Sequence, residues 1–237
     1  MDKITKQLWI VLLAVLVLSG CTTTLVSAKR SFVTGFEAED AFAIILSQRE
    51  ICPSGEMCRP APPLEEVENS YSGCLAGAML SASAGLAIVH AEEFRRVAYA
   101  GMEPGALPID GSDLLPLLRE EAFRNRIAKL NLRYIIMLRP WTTHYGSKMT
   151  GNYSAPGAGY IGKESIRSTS LSATIVDVRN ERVSGMLLAQ SEGKSGFMVP
   201  LFGIVPLPPI PYSSPTDGAA CQEMGVAIMD FLVQQTR

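Results

Sequence analysis

The chain has few of the residues on which metal centres and nucleic-acid surfaces depend. It contains two histidines and two tryptophans among 237 residues, and 21 basic residues face 23 acidic ones, for a net charge of −2. This balance excludes a strongly basic nucleic-acid-binding protein. With 47% hydrophobic and only 19% charged residues, the chain is also unlike a disordered one. We therefore expect a folded domain with no nucleic-acid partner and no cofactor.

The sequence also lacks a coherent catalytic motif. Gly157–Gly162 matches the GxGxxG pattern, but Pro156 and a polar stretch precede it instead of a strand. Ser191–Lys194 matches an SxxK pair, yet Gly193 interrupts the helical turn that this chemistry needs. Neither a GxSxG nor an HExxH motif is present. We therefore expect no nucleotide partner and assign no catalytic or metal-binding residue, and we favour a protein that is not an enzyme.

The amino terminus carries the clearest signal. Lys3 and Lys6 precede an apolar run, Leu8–Leu18, whose 11 residues are too short to span a membrane as a helix. Leu18-Ser19-Gly20-Cys21 follows and resembles the lipobox of bacterial lipoproteins. The resemblance implies cleavage after Gly20, a lipid on the Cys21 thiol and an acyl chain (palmitate) on the new amino terminus.

This resemblance implies a compartment as well as an anchor. Residues 1–20 are interpreted as a signal peptide, 21–31 as a lipidated tether, and 32–237 as a single periplasmic α+β domain. Loss of Asp2, Lys3 and Lys6 leaves 19 basic and 22 acidic residues, a net charge of −3. Membrane lipid is then a partner through acylated Cys21. Thr22 replaces the Asp that favours inner-membrane retention in such lipoproteins, so the expected site is the periplasmic face of the outer membrane of a Gram-negative host.

Four further cysteines fit an exported protein, because an oxidising compartment favours disulfides. Cys52 and Cys58 flank a turn-like sequence and can form a local bridge. Cys74 and Cys221 each lie on the apolar face of a predicted helix, where they form either a helix–helix disulfide or two buried thiols. The spacing does not match a zinc site.

Hydrophobic periodicity predicts an alternating order of elements. We expect the order β-α-β-α-β-β-β-α, with a C-terminal helix capped by Asp217. Residues 150–162, rich in Gly, Ser and Asn, are expected to form a mobile loop. The fold class is therefore α+β, a two-layer α/β sandwich with a mixed sheet of about five strands. The predicted strands are 41–46, 86–89, 134–138, 170–178 and 183–190, and the predicted helices are 65–83, 91–99 and 113–130.

The element pattern from Ala122 to Val233 resembles the periplasmic domains of the curli-secretion lipoproteins and the N-terminal domain of the Tol-Pal β-propeller protein. The pore-forming members of this class carry amphipathic transmembrane hairpins. In this chain the stretch Phe197–Tyr212 contains five prolines, which cannot donate the hydrogen bonds of such a hairpin.

The stretch Phe197–Tyr212 is nonetheless the best candidate for a partner-binding loop, because Tyr212 carries its only polar side-chain group. It either folds over the core or forms an exposed apolar surface for a partner or for lipid. Its anchoring side chains would be Phe197, Leu201, Phe202, Ile204, Leu207, Ile210 and Tyr212.

The sequence therefore favours a non-catalytic lipoprotein that acts in envelope assembly or maintenance through contacts with envelope proteins of unknown identity, or as a homo-oligomer. The alternative is an envelope hydrolase or a small-ligand-binding lipoprotein. Its site would be a pocket at Trp141, His144 and Tyr145, just beyond a central strand.

Overall fold

The structure is a computed structural model that describes residues 22–32, 35, 40–47, 64–83, 85–103, 107–108, 110–154, 158–202, 205–206 and 208–233. Cys21, Cys52, Cys58, Ile204 and Leu207 lie outside these residues. The acylation site, the local Cys52–Cys58 bridge and two of the proposed loop anchors therefore remain predictions.

The described chain forms five α-helices and eight strands. Two short strands precede the first helix, three long strands fill the middle of the chain, and one long helix closes it. The strands are β1 (Thr23–Arg30), β2 (Ala41–Leu46), β3 (Ala87–Val89), β4 (Leu132–Ser154), β5 (Ala158–Asp177), β6 (Arg182–Phe202), β7 (Val205–Pro206) and β8 (Ile210–Ser213). The helices are α1 (Leu64–Ala82), α2 (Ala91–Ala98), α3 (Leu114–Arg119), α4 (Glu121–Ile127) and α5 (Thr216–Val233), with a 3-10 turn at Ala128–Leu130.

The strands form one mixed sheet in the order β1-β6-β5-β4-β2-β3, with β7 and β8 also paired to β6. Strand β2 runs parallel to both β3 and β4. The expected combination of helices with a mixed sheet is thus confirmed, but the sheet has more strands than the five expected. The additional strands are β1, β7 and β8, and β4 to β6 are far longer than the sequence pattern predicts.

The chain divides into two compact units. Of the described residues, unit 1 contains those up to Thr24 and those in Thr142–Thr169 and Ser191–Ala219. Unit 2 contains the described residues in Leu25–Trp141 and Ser170–Gln190 and those from Ala220 onward.

Unit 2 holds the hydrophobic core, and its sheet is covered by helices on both faces. Phe42, Ile44 and Leu46 pack in one cluster with α1 and α5, whereas Ala41, Ala43 and Ile45 pack in a second cluster with α2, α3 and α4. The expected two-layer sandwich is therefore wrong, and unit 2 has three layers. The physical reason is visible in β2, whose six residues are all buried, as is typical of a strand covered on both faces.

Several local predictions require correction. Thr23–Arg30, interpreted as part of a polar tether, forms the edge strand β1. The stretch expected to be a mobile loop at 150–162 is mostly strand, in β4 and β5. In these segments pairing with neighbouring strands outweighs the weak strand propensity of Gly, Ser and Asn.

The helices agree better with the sequence. The helix expected at 113–130 is present but broken into α3, α4 and the 3-10 turn, and Asn131 ends it in the left-handed conformation with φ of 47°. In α1 the fully buried residues are Glu68, Leu75 and Met79, while Val67, Tyr71 and Cys74 pack partly buried against the same cluster. Glu68 is buried because it accepts hydrogen bonds from Leu46 N at 2.8 Å and from Arg95.

Candidate functional site

Unit 1 is built from β4, β5, β6 and β8, whose backbones approach closely at glycines. A Cβ placed at Gly162 would lie 2.4 Å from the carbonyl oxygen of Phe197, and one at Gly196 would lie 2.1 Å from that of Lys163. Side chains at these two positions would push β5 and β6 apart. Gly162, which the sequence pattern assigns to a loop, therefore lies where two strands pair closely.

The proline-rich stretch Phe197–Tyr212 is not an irregular loop. Its first residues belong to β6, which pairs antiparallel with β7 at Leu201–Pro206 and with β8 at Met198–Ile210. Most of its prolines lie outside the centre of the sheet, in or beside the short strands β7 and β8, where a missing N–H is tolerated.

The proposed anchor side chains in this stretch differ in how exposed they are. Phe197 is 43% exposed and Ile210 is 45% exposed, while Leu201 is half-buried. The backbones of Phe202 and Tyr212 lie in strands β6 and β8. The described anchors at Phe197 and Ile210 thus lie at the surface of unit 1.

Other large apolar side chains of unit 1 are also exposed, and the sequence analysis missed most of them. These residues, which are 38% to 69% exposed, are Tyr145, Met149, Tyr160, Ile161, Phe197 and Ile210. They do not form one face, because Phe197 pairs with Pro211 while Ile210 pairs with Met198, and Tyr160 and Ile161 are neighbours in β5. The sequence feature that could have identified these residues is the presence of large apolar side chains inside a stretch otherwise rich in Gly, Ser and Asn.

Charged groups lie on the same strands as these exposed apolar residues. Glu164 accepts a salt bridge from Lys194 at 3.1 Å and a longer one from Lys148 at 4.0 Å. Tyr145 donates a hydrogen bond to Glu192 at 2.8 Å, and this bond raises the pKa of the exposed Tyr145 phenol. Residues 142–169 and 191–213 together carry four basic and two acidic side chains, in contrast to the acidic balance of the whole chain.

The proposed pocket residues lie along β4. His144 is exposed, and among the described residues none forms a hydrogen bond with it. His144 and Tyr145 are adjacent in a strand, so their side chains point to opposite faces of it. Trp141 is half-buried.

A polar cluster lies at the start of α5 and has a structural role. Asp217 accepts a hydrogen bond from Thr169 at 2.5 Å and forms an ion pair with Arg167. Thr169 also lies 2.9 Å from the hydroxyl of Thr216. Asp217 was expected to cap the helix, but instead it holds the first turn of α5 against β5.

Unit 2 contains a cleft of about 450 Å³ between β1 and α5, which we call the β1–α5 cleft. Val226 is exposed there, and the Arg30 guanidinium lies 4.5 Å from the centre of the Phe231 ring. Arg30 also donates a hydrogen bond to the Phe231 carbonyl. The lining residues are Val26, Ala28, Arg30, Glu223, Val226, Ala227, Asp230 and Phe231.

The structure joins Cys74 in α1 to Cys221 in α5 by a disulfide. This decides between the two alternatives that the sequence left open for this pair. The bridge joins two helices that pack on the same face of the sheet, in the cluster that contains Leu75 and Met224.

The part of the chain that the structure describes has no helix long and apolar enough to cross a membrane. Within the same residues, no group of three or more His, Cys, Asp or Glu side chains is placed to hold a metal ion.

Comparison with known proteins gives weak similarity only. No protein-family profile and no curated protein matches the chain. A dodecamer of a PelC point variant from Paraburkholderia phytofirmans aligns with a TM-score of 0.37 and 10% identity, covering 91% of this chain and 100% of that one. A PelC dodecamer from the same organism in a second crystal form gives 0.33 and 12%, with coverage of 92% and 99%.

A neuraminyllactose-binding hemagglutinin homolog from Helicobacter pylori aligns with a TM-score of 0.30 and 8% identity, covering 88% of this chain and 89% of that one. At these TM-scores none of the three similarities carries an argument about fold or function.

Proposed function

We propose that the protein is a non-catalytic lipoprotein, anchored through acylated Cys21 to the periplasmic face of the outer membrane. It acts in envelope assembly or maintenance through protein–protein contacts. The lipobox-like sequence Leu18–Cys21 supports the anchor, and the Cys74–Cys221 disulfide fits an oxidising compartment.

The observation that carries the proposal is the exposure of large apolar side chains on structured surfaces of both units. Phe197 and Ile210 extend from paired strands, and Val226 lies at the β1–α5 cleft. Ordered apolar surfaces of this kind lose little conformational entropy on binding and mark interaction sites. The proposed contacts therefore use the stretch Phe197–Tyr212 and the β1–α5 cleft.

The test is complementation of a strain that lacks the gene. We expect the deletion to increase the entry of a large antibiotic that an intact outer membrane excludes, and the unaltered gene to restore the barrier. Cys21→Ser should fail to restore it and should lose incorporation of labelled palmitate. A deletion strain with an unchanged envelope would overturn the proposed role.

The cleft is tested with two matched variants of α5. Val226→Glu places a charge in the cleft, whereas Val233→Glu places the same charge at an exposed position that does not line it. We expect the first variant to fail in complementation and the second to succeed at equal protein levels. Equal success of both variants would remove the cleft from the proposal.

A further inference from the structure

Strand β1 forms an edge of the sheet, and among the described strands it pairs with β6 alone. Ser31 N donates to Ser184 O at 2.9 Å, and a Cβ placed at Gly185 would lie 2.6 Å from the carbonyl oxygen of Lys29. The two contacts run in opposite directions along the chain, so β1 is antiparallel to β6. They also show that the backbone groups of Lys29 and Ser31 point towards β6.

The opposite edge of β1 is open to a further strand. Successive residues of an antiparallel strand direct their backbone groups alternately to its two sides, so the N–H and C=O groups of Val26 and Ala28 point away from β6. Edge strands are usually protected from pairing by charged side chains. In β1 the charges lie at one end, on Lys29 and Arg30, and the stretch Leu25–Ala28 has none. The middle of β1 is therefore suited to strand addition.

One wall of the β1–α5 cleft is this same strand. Val26, Ala28 and Arg30 line the cleft, and their spacing of two places them on one face of β1, the face that α5 covers. Arg30 is held there by the ring and the carbonyl group of Phe231. A strand added to β1 would place every second side chain on this face, beside Val26 and Ala28 and against α5.

The other wall is the exposed face of α5, which carries two carboxylates. Glu223 and Asp230 line the cleft about 10 Å apart along the helix, and the exposed Val226 lies between them. Neither carboxylate forms an ion pair or a hydrogen bond with another described residue. Because Arg30 is held against Phe231, the free charge of the cleft is negative and favours a basic partner.

A second copy of the chain fits the cleft less well. Antiparallel pairing of two β1 strands would place the second α5 on the same face of the joined sheet, beside the first. The Glu223 and Asp230 side chains of both copies would then lie along one cleft, where like charges repel. The charge of the cleft therefore favours a different protein as the partner.

We propose that the β1–α5 cleft binds an extended segment of a partner protein, which adds to β1 as an antiparallel strand. The segment carries a basic, an apolar and a second basic side chain at alternate positions. Its two basic residues, four positions apart, are separated by about 13 Å, which suits Glu223 and Asp230, and its apolar residue packs on Val226. This inference rests on the proposed function, because it specifies the partner that the protein contacts of the cleft engage.

The test measures binding of labelled peptides to the full mature protein, purified in detergent, by fluorescence anisotropy. The peptide Thr-Lys-Thr-Val-Thr-Lys-Thr has the proposed pattern, and a control peptide has glutamate in place of both lysines. Two further peptides carry one backbone N-methyl group. It lies either on the valine, whose N–H would point to β1, or on the threonine that follows, whose N–H would point away.

Two double variants of the protein test the carboxylates. Glu223→Gln with Asp230→Asn removes both charges from the cleft. Glu92→Gln with Glu93→Gln is the matched control, because it makes the same change in net charge at exposed positions of α2. Helix α2 packs in the other core cluster and does not line the cleft.

We expect the lysine peptide to bind the unaltered protein at least tenfold more tightly than the glutamate peptide. Loss of both cleft carboxylates should weaken its binding about tenfold, and the control variant should leave it unchanged. N-methylation of the valine should abolish binding, whereas N-methylation of the threonine should preserve it. Equal affinities of the two N-methyl peptides, or equal effects of the two double variants, would overturn the inference.

Sedimentation of the protein alone tests the choice of partner. Self-association that the lysine peptide reverses would assign the cleft to a second copy and overturn that choice. Absence of peptide binding, with a deletion strain that still loses its outer-membrane barrier, would reject the inference and keep the proposed function. A deletion strain with an unchanged envelope would instead reject the proposed function, so the two failures are distinguishable.

Discussion

At the scale of single residues, the ion pair of Glu68 and Arg95 is a closely held polar contact of unit 2. The Glu68 side chain is 5% exposed, and both of its oxygens accept hydrogen bonds from Arg95 at 2.8 Å. Glu68 also accepts from Leu46 N, and Arg95 donates to Leu46 O. The pair therefore satisfies the backbone at the end of β2 and joins it to α1 and α2.

We expect Glu68→Gln to lower the free energy of unfolding by about 2–3 kcal/mol, because it leaves the partly buried Arg95 without its counter-charge. The measurement is urea unfolding followed by circular dichroism. Glu181→Gln is the matched control, since the pair of Glu181 with Arg124 is exposed and should change stability by less than about 1 kcal/mol. Equal losses would show that the Glu68 pair does not support the end of β2.

At the scale of elements, the contact of α1 with α5 depends on the absence of a side chain at Gly225. A Cβ placed there would lie 2.4 Å from the Cβ of Ala78 and 3.3 Å from the carbonyl oxygen of Leu75. Gly218 is in the same helix, and a Cβ there would have no neighbour within 4 Å. The helix thus provides a test position and its own control.

We expect Gly225→Ala to destabilise the protein by about 1–3 kcal/mol, because overpacking outweighs the gain in helix propensity. Gly218→Ala should be neutral or stabilise by up to about 1 kcal/mol. Thermal unfolding of the two variants in parallel measures the difference. A Gly225→Ala protein as stable as the Gly218→Ala protein would mean that the helices are less closely packed than described.

At the scale of the whole molecule, the Cys74–Cys221 disulfide closes a loop across 147 positions of the sequence. Replacing both cysteines by alanine should lower the free energy of unfolding by about 2–5 kcal/mol, chiefly because the unfolded chain becomes less restricted. Denaturant unfolding with and without a reducing agent measures the effect. Reduction should destabilise the unaltered protein more than the double variant, whereas equal stability of all four samples would contradict the prediction.

The fold could be predicted from the sequence only where a local pattern specifies the element. The buried strand at Ala41–Leu46 and the broken helix before Asn131 carry local signals, namely an apolar run and helical spacing with a left-handed end. The long strands of unit 1 carry none, because their Gly, Ser and Asn residues become strands only through pairing with neighbours. Whether helices cover both faces of the sheet likewise depends on their tertiary arrangement, so no local pattern predicts it.

The candidate surfaces were predictable to a smaller extent. The apolar character of Phe197–Tyr212 is readable in the sequence, but its pairing with β6 is not, since five prolines suggest an irregular segment. The β1–α5 cleft could not be predicted, because the sequence pattern interprets β1, which forms one wall of the cleft, as a tether. The pairing of Cys74 with Cys221 depends on the close approach of α1 and α5, which no local pattern reports.

For a chain exported as proposed, the disulfide also sets a condition on the timing of export. A secreted chain emerges from the translocation channel amino terminus first, so α1 and Cys74 arrive well before Cys221. The cluster that contains Leu75 also needs Met224, Ile228 and Leu232 of α5, which are among the last residues to be delivered. An acylated amino terminus would thus already be at the membrane while Cys74 was still a free thiol. During that interval Cys74 could form a disulfide with any other cysteine that emerged before Cys221.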